Sequence, residues 1–515
     1  MTNLTNPTLG ERKSFRRVTI GAGNAVITWI LMSAFAGPGN VYGQCSPSFA
    51  SPSAHVVGMN PRHILCDYID GDEYLDLLIA NSGEDSLSLL RGTGSGQFSP
   101  ATAISVGTAP WCSAIGDLNG DSLPDVVSAN HDSNDITILL NNGDGTYATS
   151  TLNFFIFNPT IHPSSVAIGD LNGDSNADLA IAGYDGDQNV SVMLGNGDGT
   201  FQLESRLWAS GFPVQIRVVD VTNDDVLDLI VLNETGNNVV VLAGAGNGFF
   251  SLPVRYGAGG NPRKFDLLDF NGDGLPDVAD SNAITIVVRF GLVDGTFSEG
   301  EVYDSPGSPT GMALDDVNND GRPDLIVSNY EYDSVSVRTG DGQGGFGEPI
   351  DFPTGAGQVF VATGDFDRDG LADIASLLTD SGQVMTLLNN GLSAAITQSP
   401  QSQTAISGDE VSLEVVATGT VSYQWRRDGI PLRNALPYSG VRTSALTISQ
   451  VTASESGVYD VVVGAACHRG VASQPASLVV VQPTCVGDFN GDGVFNSGDI
   501  QLFISSLLLG NMCPS

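Results

Sequence analysis

Basic residues are scarce in this chain. Lys and Arg number 20 against 58 Asp and Glu, a formal charge of −38 at pH 7 over 515 residues. A surface this negative repels nucleic acid and anionic membranes, which makes both poor partner candidates. Histidine is scarcer still: His55, His63, His131, His162 and His468 are the full set, and none sits at a His-x-x-x-His or His/Cys metal spacing. No Gly-x-Ser-x-Gly elbow occurs, so the motif of one large hydrolase class is absent. Beyond the N-terminus there is no apolar run long enough to span a bilayer.

The one long apolar run has a specific setting. Arg12, Lys13, Arg16 and Arg17 precede Val18 to Ala36, which ends in Ala34-Phe35-Ala36. A basic segment, an apolar segment and a small-x-small end form a secretory signal peptide. Residues 1–36 are therefore expected to be removed, with cleavage as late as residue 44, and an uncleaved membrane anchor is the competing reading. Tyr-Gly-Gln before Cys45 lacks the small residues of a lipid-attachment site. Export implies an oxidising environment, and the six Cys are an even number. Cys485 with Cys513, and Cys66 with Cys112, are the expected pairs, leaving Cys45 and Cys467 paired by elimination or free. The location expected is secreted or cell-surface.

What the chain has in abundance is Gly, 63 residues, and a repeat. Asp269-Phe-Asn271-Gly-Asp273-Gly-Leu-Pro-Asp277 places side-chain oxygens at positions 1, 3, 5 and 9 of a tight loop. Such oxygens can converge on a hard cation, and Ca²⁺ is the natural occupant because the carboxylates would otherwise repel one another. Further copies start at Asp117, Asp170, Asp220, Asp316 and Asp365, spaced 53, 50, 49, 47 and 49 residues apart once Asp269 is included. An irregular first copy ends at Asp76 and puts Tyr68 at position 1. The candidate ligands are Asp70, Asp72 and Asp76; Asp117, Asn119, Asp121 and Asp125; and Asp170, Asn172, Asp174 and Asp178. They continue with Asp220, Asp224 and Asp228; Asp269, Asn271, Asp273 and Asp277; Asp316, Asn318, Asp320 and Asp324; and Asp365, Asp367, Asp369 and Asp373. In the fourth copy Thr222 occupies position 3 and Asp225 replaces Gly at position 6, so a weaker site is expected there.

The surroundings repeat as well. After each loop comes an apolar run such as Asp228-Leu-Ile-Val-Leu, then a turn, a second run, and a Gly-rich turn ending in an aromatic, as in Asn196-Gly-Asp-Gly-Thr-Phe201. A Pro usually follows the aromatic by twelve residues, with the next loop seven further on, as in Phe201, Pro213 and Asp220. Each unit thus carries about four short strands, and runs apolar on both faces suit sheets buried between sheets. The seventh unit lacks its aromatic and last strand, while Phe49 precedes Pro61 by twelve residues at the start of the mature chain. The strand after Phe49 is therefore expected to complete the last sheet and close a ring. The fold class expected is mainly β: a seven-bladed β-propeller over residues 45–393, then a linker at 394–400 and further small domains.

The Gly-Asp-Leu-Asn-Gly-Asp-x-x-x-Asp and Gly-Asp-Gly-Thr-Phe units resemble FG-GAP/VCBS repeats, the type found in integrin α-subunit propellers and many bacterial surface proteins. That resemblance implies Ca²⁺ in the loops on one rim, and commonly adhesion or ligand binding. It settles fold far better than function.

Residues 401–481 look like an immunoglobulin-type sandwich, with Trp425 on one strand and a Gly-x-Tyr corner at Tyr459. Val461 stands where the second Cys of the usual inter-sheet pair belongs, so Trp425 and its apolar neighbours are expected to hold the core. Residues 483–515 place oxygens at Asp488, Asn490, Asp492, Asn496 and Asp499 with Gly493 at position 6, an EF-hand-type spacing leading into a helix. The segment resembles one dockerin type I repeat. Dockerins normally carry two, so a cohesin-type partner is in question, and a calcium clip or surface-attachment tail is the alternative. Ile500, Phe503, Ile504, Leu507 and Leu508 give this helix an apolar face that needs cover.

Nothing in the sequence points to catalysis: the periodic carboxylates are accounted for as Ca²⁺ ligands, ionised and unavailable as general acids. The function expected is a Ca²⁺-binding adhesion or scaffold protein that recognises an extracellular partner. A glycan-binding propeller is the alternative, weighed down because the repeated aromatic falls in the packing turn and Trp111 and Trp208 are not repeated. A polysaccharide-acting enzyme ranks last.

Overall fold

A computed structural model describes residues 47–153, 161–184, 190–202, 205–209, 211–305, 307–391, 395–418, 421–465, 471–481 and 496–508. The expected signal peptide, Cys45, Cys467, Cys485, Cys513, Asp488, Asn490 and Asp492 lie outside the described residues. The chain divides into two compact units, one built on Phe49–Val317 and Gly321–Asn389, the other from Asn390 onward.

Among the described residues, the first unit contains seven four-stranded antiparallel sheets. Their first strands are Pro61–Asp67, Pro110–Gly116, Pro163–Gly169, Pro213–Val219, Lys264–Leu268, Pro309–Asp315 and Gln358–Gly364. Their second strands are Asp76–Asn81, Asp125–Asn130, Asp178–Gly183, Asp228–Asn233, Asp277–Ser281, Asp324–Asn329 and Asp373–Leu378, so every second strand opens on position 9 of an Asp loop. These second strands are buried at every residue. Their Leu, Ile, Val and Ala fit that place, because a neighbouring sheet covers each face. The fourth strands, such as Thr102–Ser105 and Glu301–Asp304, are largely exposed, which makes them the polar outer edge.

The hydrophobic core is divided into layers between consecutive sheets. One cluster joins Leu78, Leu87 and Leu89 of the first sheet to Ile115, Val126 and Leu139 of the second. Another joins Ile64, Leu77 and Ile79 of the first sheet to Phe366, Ala375 and Leu377 of the seventh. The strand after Phe49 is Ser53–Val56, and it pairs antiparallel with Gln383–Leu387 as the fourth strand of the seventh sheet. Phe49 bridges Asn389 and meets Phe352 edge-on at 4.9 Å, the position that the turn aromatics hold in other units.

The first strands carry a belt of side-chain contacts. His63, Cys112, Ser165, Gln215, Lys264, Gly311 and Phe360 are equivalent, each opposite the fifth residue of its second strand. Cys112 Sγ lies 3.9 Å from His63 Nε2 and 3.6 Å from Ser165 Oγ. The Ile216 N–H donates to Ser165 Oγ at 3.3 Å, and Gln215 bonds both backbone groups of Phe265. Lys264 lies over the Phe360 ring, whose edge meets His63 at 5.7 Å. At Gly311 an added Cβ would meet Phe360 Cα at 2.6 Å, so only Gly fits between them.

This belt corrects one sequence expectation. Cys66 and Cys112 are both free and buried, and no disulfide joins them. Side chains alternate faces along a strand: Cys66 packs into the layer against the seventh sheet, while Cys112 packs between the second and third. The two thiols therefore point into different layers.

The second unit contains an immunoglobulin-like sandwich. Val421–Arg427 pairs with Gly457–Ala465, placing Trp425 opposite Val461, and both residues are fully buried with Tyr459, Leu413, Leu446 and Ile448. Trp425 Nε1 donates to the Thr443 carbonyl at 2.9 Å, and the Tyr459 hydroxyl donates to the Glu455 carbonyl at 2.7 Å. Apolar packing thus stands where a disulfide is usual. Ala395–Gln398, read from sequence as linker, is a strand paired with Val416–Thr418. The expected C-terminal helix spans Ser497–Leu508, with Asp499 buried and accepting the Asn496 N–H at 2.8 Å. Ile500, Ile504 and Leu508 are exposed on it.

Candidate functional site

The Asp loops join first strands to second strands, so all seven lie at the same end of their sheets. Their backbone turns twice through the left-handed region. Position 4 is Gly71, Gly120, Gly173, Asn223, Gly272, Asn319 or Arg368, all at positive φ, and position 6 in the second to seventh loops is Ser122, Ser175, Asp225, Gly274, Gly321 or Gly370. Asn, Asp and Gly tolerate this conformation best, whereas Arg368 at φ 64° is strained. The position-1 carboxylate holds the turn together: Asp269 accepts the N–H of Gly272 at 2.7 Å and of Gly274 at 2.8 Å, and Asp117 accepts those of Gly120 and Ser122.

Position 9 has a role that spacing alone does not reveal. In every loop this carboxylate is fully buried. One oxygen accepts the N–H of position 2 at 2.8–3.1 Å (Ile69, Leu118, Leu171, Val221, Phe270, Val317, Phe366). The other accepts an N–H at or just past the end of the third strand at 2.6–2.9 Å (Gly92, Asn141, Gly195, Gly244, Gly291, Gly340, Asn389). The carboxylate thus ties loop, second strand and third strand together. Burial pushes Asp76, Asp178 and Asp277 up to about 6 and Asp373 up to about 7, against the lowering effect of those N–H donors. A desolvated carboxylate raised in this way is one that a cation would return to its charged form.

Position 2 was missed by the sequence reading, and the signal was present: it is apolar in all seven copies. Its side chain is buried, and in five loops its carbonyl accepts a bond from a neighbouring sheet. The donors are Gly96 N to Phe366, Asn141 Nδ2 to Ile69, Gly199 N to Leu118, Gly248 N to Leu171, and Asn389 Nδ2 to Val317. The loops are therefore also the latches between sheets.

Among the described residues, one group of acids gathers its oxygens within 4.8 Å of one another: Asp365, Asp367 and Asp373. With Asp369 in the same loop, the donor set is all carboxylate, the chemistry a hard divalent cation requires. Asp365 and Asp369 border an open cavity of about 560 Å³ shared with Tyr68 of the first loop. The other loops differ in detail. Asp70 is paired with Arg91 Nε at 3.2 Å, so a cation already stands beside the first loop. In the fourth loop Thr222 Oγ1 is buried and, among the described residues, has no hydrogen-bond partner. In the C-terminal segment, Asn496 and Asp499 are described but their expected co-ligands are not.

At the opposite end of the sheets lies an arc of unrepeated aromatic side chains. Arg62 sits 4.0 Å from the centre of the Trp111 ring, and His131 stacks on that ring at 3.7 Å. Two planar groups this close must occupy opposite faces of the indole. His131 is 4.8 Å from His162, Trp111 is 5.7 Å from Tyr184, and Tyr184 is 5.1 Å from Phe212. The Tyr184 hydroxyl donates to Glu234 at 2.8 Å. Trp208, 53% exposed, is capped by Arg255 at 4.9 Å. Sequence reasoning set Trp111 and Trp208 aside because they do not recur and did not single out Arg62, Tyr184 or Phe212, whereas the fold brings residues from the first four sheets together.

The repeated four-stranded sheets with Asp loops define a class, and comparison with known proteins identifies it. The FG-GAP-like repeat matches residues 69–128, 117–181, 170–231, 220–280 and 316–376, together more than half of the chain, and the immunoglobulin domain matches 395–464. The chain belongs to the FG-GAP-like repeat family. No curated protein matches. A functionally unknown protein from Desulfotomaculum acetoxidans is similar at 14% identity over 60% of this chain and 91% of its own, with TM-score 0.40. The first domain of Duf (Kirre) is similar at 24% identity over 18% of this chain and all of its own, with TM-score 0.16. The Photorhabdus luminescens Tc holotoxin pore is similar at 13% identity over 75% of this chain and 21% of its own, with TM-score 0.32.

Proposed function

We propose that this chain is an extracellular adhesion or scaffold protein, built on a closed seven-bladed β-propeller whose Asp loops hold Ca²⁺. The Arg62–Trp111–His131–Tyr184–Phe212 arc is the observation that carries a binding role. These aromatics break the repeat and lie outside the buried clusters between sheets, and aromatic and Arg side chains dominate recognition surfaces. Ring closure is supported by the pairing of Ser53–Val56 with Gln383–Leu387 and by the layer between the seventh and first sheets. Calcium is supported by the gathered Asp365, Asp367 and Asp373. The loops then serve as clips that steady the sheets, while the partner meets the opposite end.

Glycan binding is the second reading, favoured by the exposure of Trp208 beside Arg255, an aromatic platform with a polar rim. The full chain and its Trp208→Ala and Tyr184→Ala variants would be tested in calcium against immobilised extracellular proteins and a glycan array. Protein binding lost in the variants is the expected result. Glycan binding lost in the variants transfers the function to a lectin, and binding unchanged by either substitution would overturn the role of the arc.

A further inference from the structure

The middle of the seven first strands holds charge that neither the loops nor the aromatic arc uses. Lys264 is 6% exposed, and its ammonium stands 4.9 Å from the centre of the Phe360 ring. An ammonium offers three donors, yet among the described residues Lys264 has no hydrogen bond or ion pair. Arg217, half-buried on the neighbouring first strand, likewise has neither. Asp266 is the acid that faces both, but its carboxylate accepts the Leu267 N–H at 3.1 Å and forms an ion pair with neither cation. Cys112 and His63 complete the titratable groups around Lys264.

Two cations thus face one carboxylate, a local positive surplus inside a chain of formal charge −38. Burial pushes Lys264 down to about 7, with Arg217 adding to the effect and Asp266 opposing it. The same burial, with both cations nearby, holds His63 well below its usual range, so it stays neutral. The positions equivalent to Arg217 are Leu65, Ala114, Ala167, Asp266, Ala313 and Ala362, opposite the third residue of each second strand. Among these seven positions only Arg217 and Asp266 carry charge, so the pairing of Arg217 with Lys264 has no counterpart in the other sheets. We propose that Lys264 and Arg217 hold a small monovalent anion, a halide or a compact carboxylate, between the first strands of the fourth and fifth sheets. Such an anion supplies the acceptor that the buried ammonium lacks and offsets its lost hydration.

The test is a thermal melt of the full chain at constant calcium and constant ionic strength, at pH 6, below the Lys264 midpoint of about 7. Sodium chloride and sodium acetate are each compared with sodium isethionate, whose anion is bulkier. The expected result is a saturable rise of several degrees in chloride or acetate, and which of the two acts tells halide from carboxylate. Lys264→Met should lose this rise, and Arg433→Met on the immunoglobulin-like unit should keep it. Equal melting in all three salts, or a response retained by Lys264→Met, overturns the site. Should Lys264→Met fail to fold, ³⁵Cl line broadening by the unaltered protein decides: its saturable presence supports the site and its absence ends it. Because calcium is held constant throughout, failure here leaves the calcium reading untouched.

Discussion

At the residue scale, the position-9 carboxylate is the most consequential side chain of each repeat. Asp277 satisfies the N–H groups of Phe270 and Gly291, both inside the protein. Asp277→Ala leaves both donors unpaired and should cost about 2–6 kcal/mol, since each buried unsatisfied group costs roughly 1–3 kcal/mol. Asp277→Asn keeps one acceptor oxygen and should cost clearly less, which denaturant midpoints of the two variants would show. Equal losses would mean that charge, not hydrogen bonding, is what the site needs. Lys264 supplies the pH dependence. Its folded midpoint of about 7 lies below the ordinary 10.5, so between those values the unfolded chain binds more protons and stability rises with pH. Lys264→Met should therefore stabilise most at pH 7 and below, with the advantage shrinking towards pH 10. A constant difference across that range would refute the lowered midpoint.

At the element scale, the strand Ser53–Val56 closes the seventh sheet against Gln383–Leu387. Removing it, with Phe49, exposes the unpaired edge of Gln383–Leu387 and strips the Phe49–Phe352 contact. An exposed edge of this kind pairs with other chains, so a chain lacking residues 47–57 should elute as dimers or larger species where the full chain is monodisperse. Much of this layer of organisation was legible in sequence. The Phe49-to-Pro61 interval matched the internal repeats, so the register of the borrowed strand followed from counting. Two features were not. The linker residues Ala395–Gln398 carry no strong alternation, and their strand exists because Val416–Thr418 offers a free edge. Cys66 and Cys112 looked pairable because sequence spacing does not say which face of a sheet a side chain takes.

At the scale of the whole molecule, the acidic loops gather at one end of the sheets and the aromatic arc at the other. Their mutual repulsion is the reason that calcium removal should matter globally. For each loop that binds, calcium at a hundredfold excess over its Kd adds about 2.7 kcal/mol by mass action. EDTA should therefore lower the melting temperature of the first unit markedly, with recovery on adding calcium. An unchanged melt would remove calcium from the proposal while leaving the position-9 clips intact.

The Asp269–Asp277 loop shows where the two kinds of information divide. The sequence by itself determined that a loop recurs, that a β-rich unit recurs with it, and that oxygen donors stand at positions 1, 3, 5 and 9, because periodicity is a property of the chain alone. Only the tertiary structure decided what those donors do. Position 9 turns inward to bind two backbone N–H groups, position 2 latches one sheet to the next, and unrepeated residues such as Trp111, Tyr184 and Lys264 meet partners from other sheets. The latches and the unrepeated contacts form between residues some 50 or more apart in the chain, brought together by packing, and no local pattern encodes them.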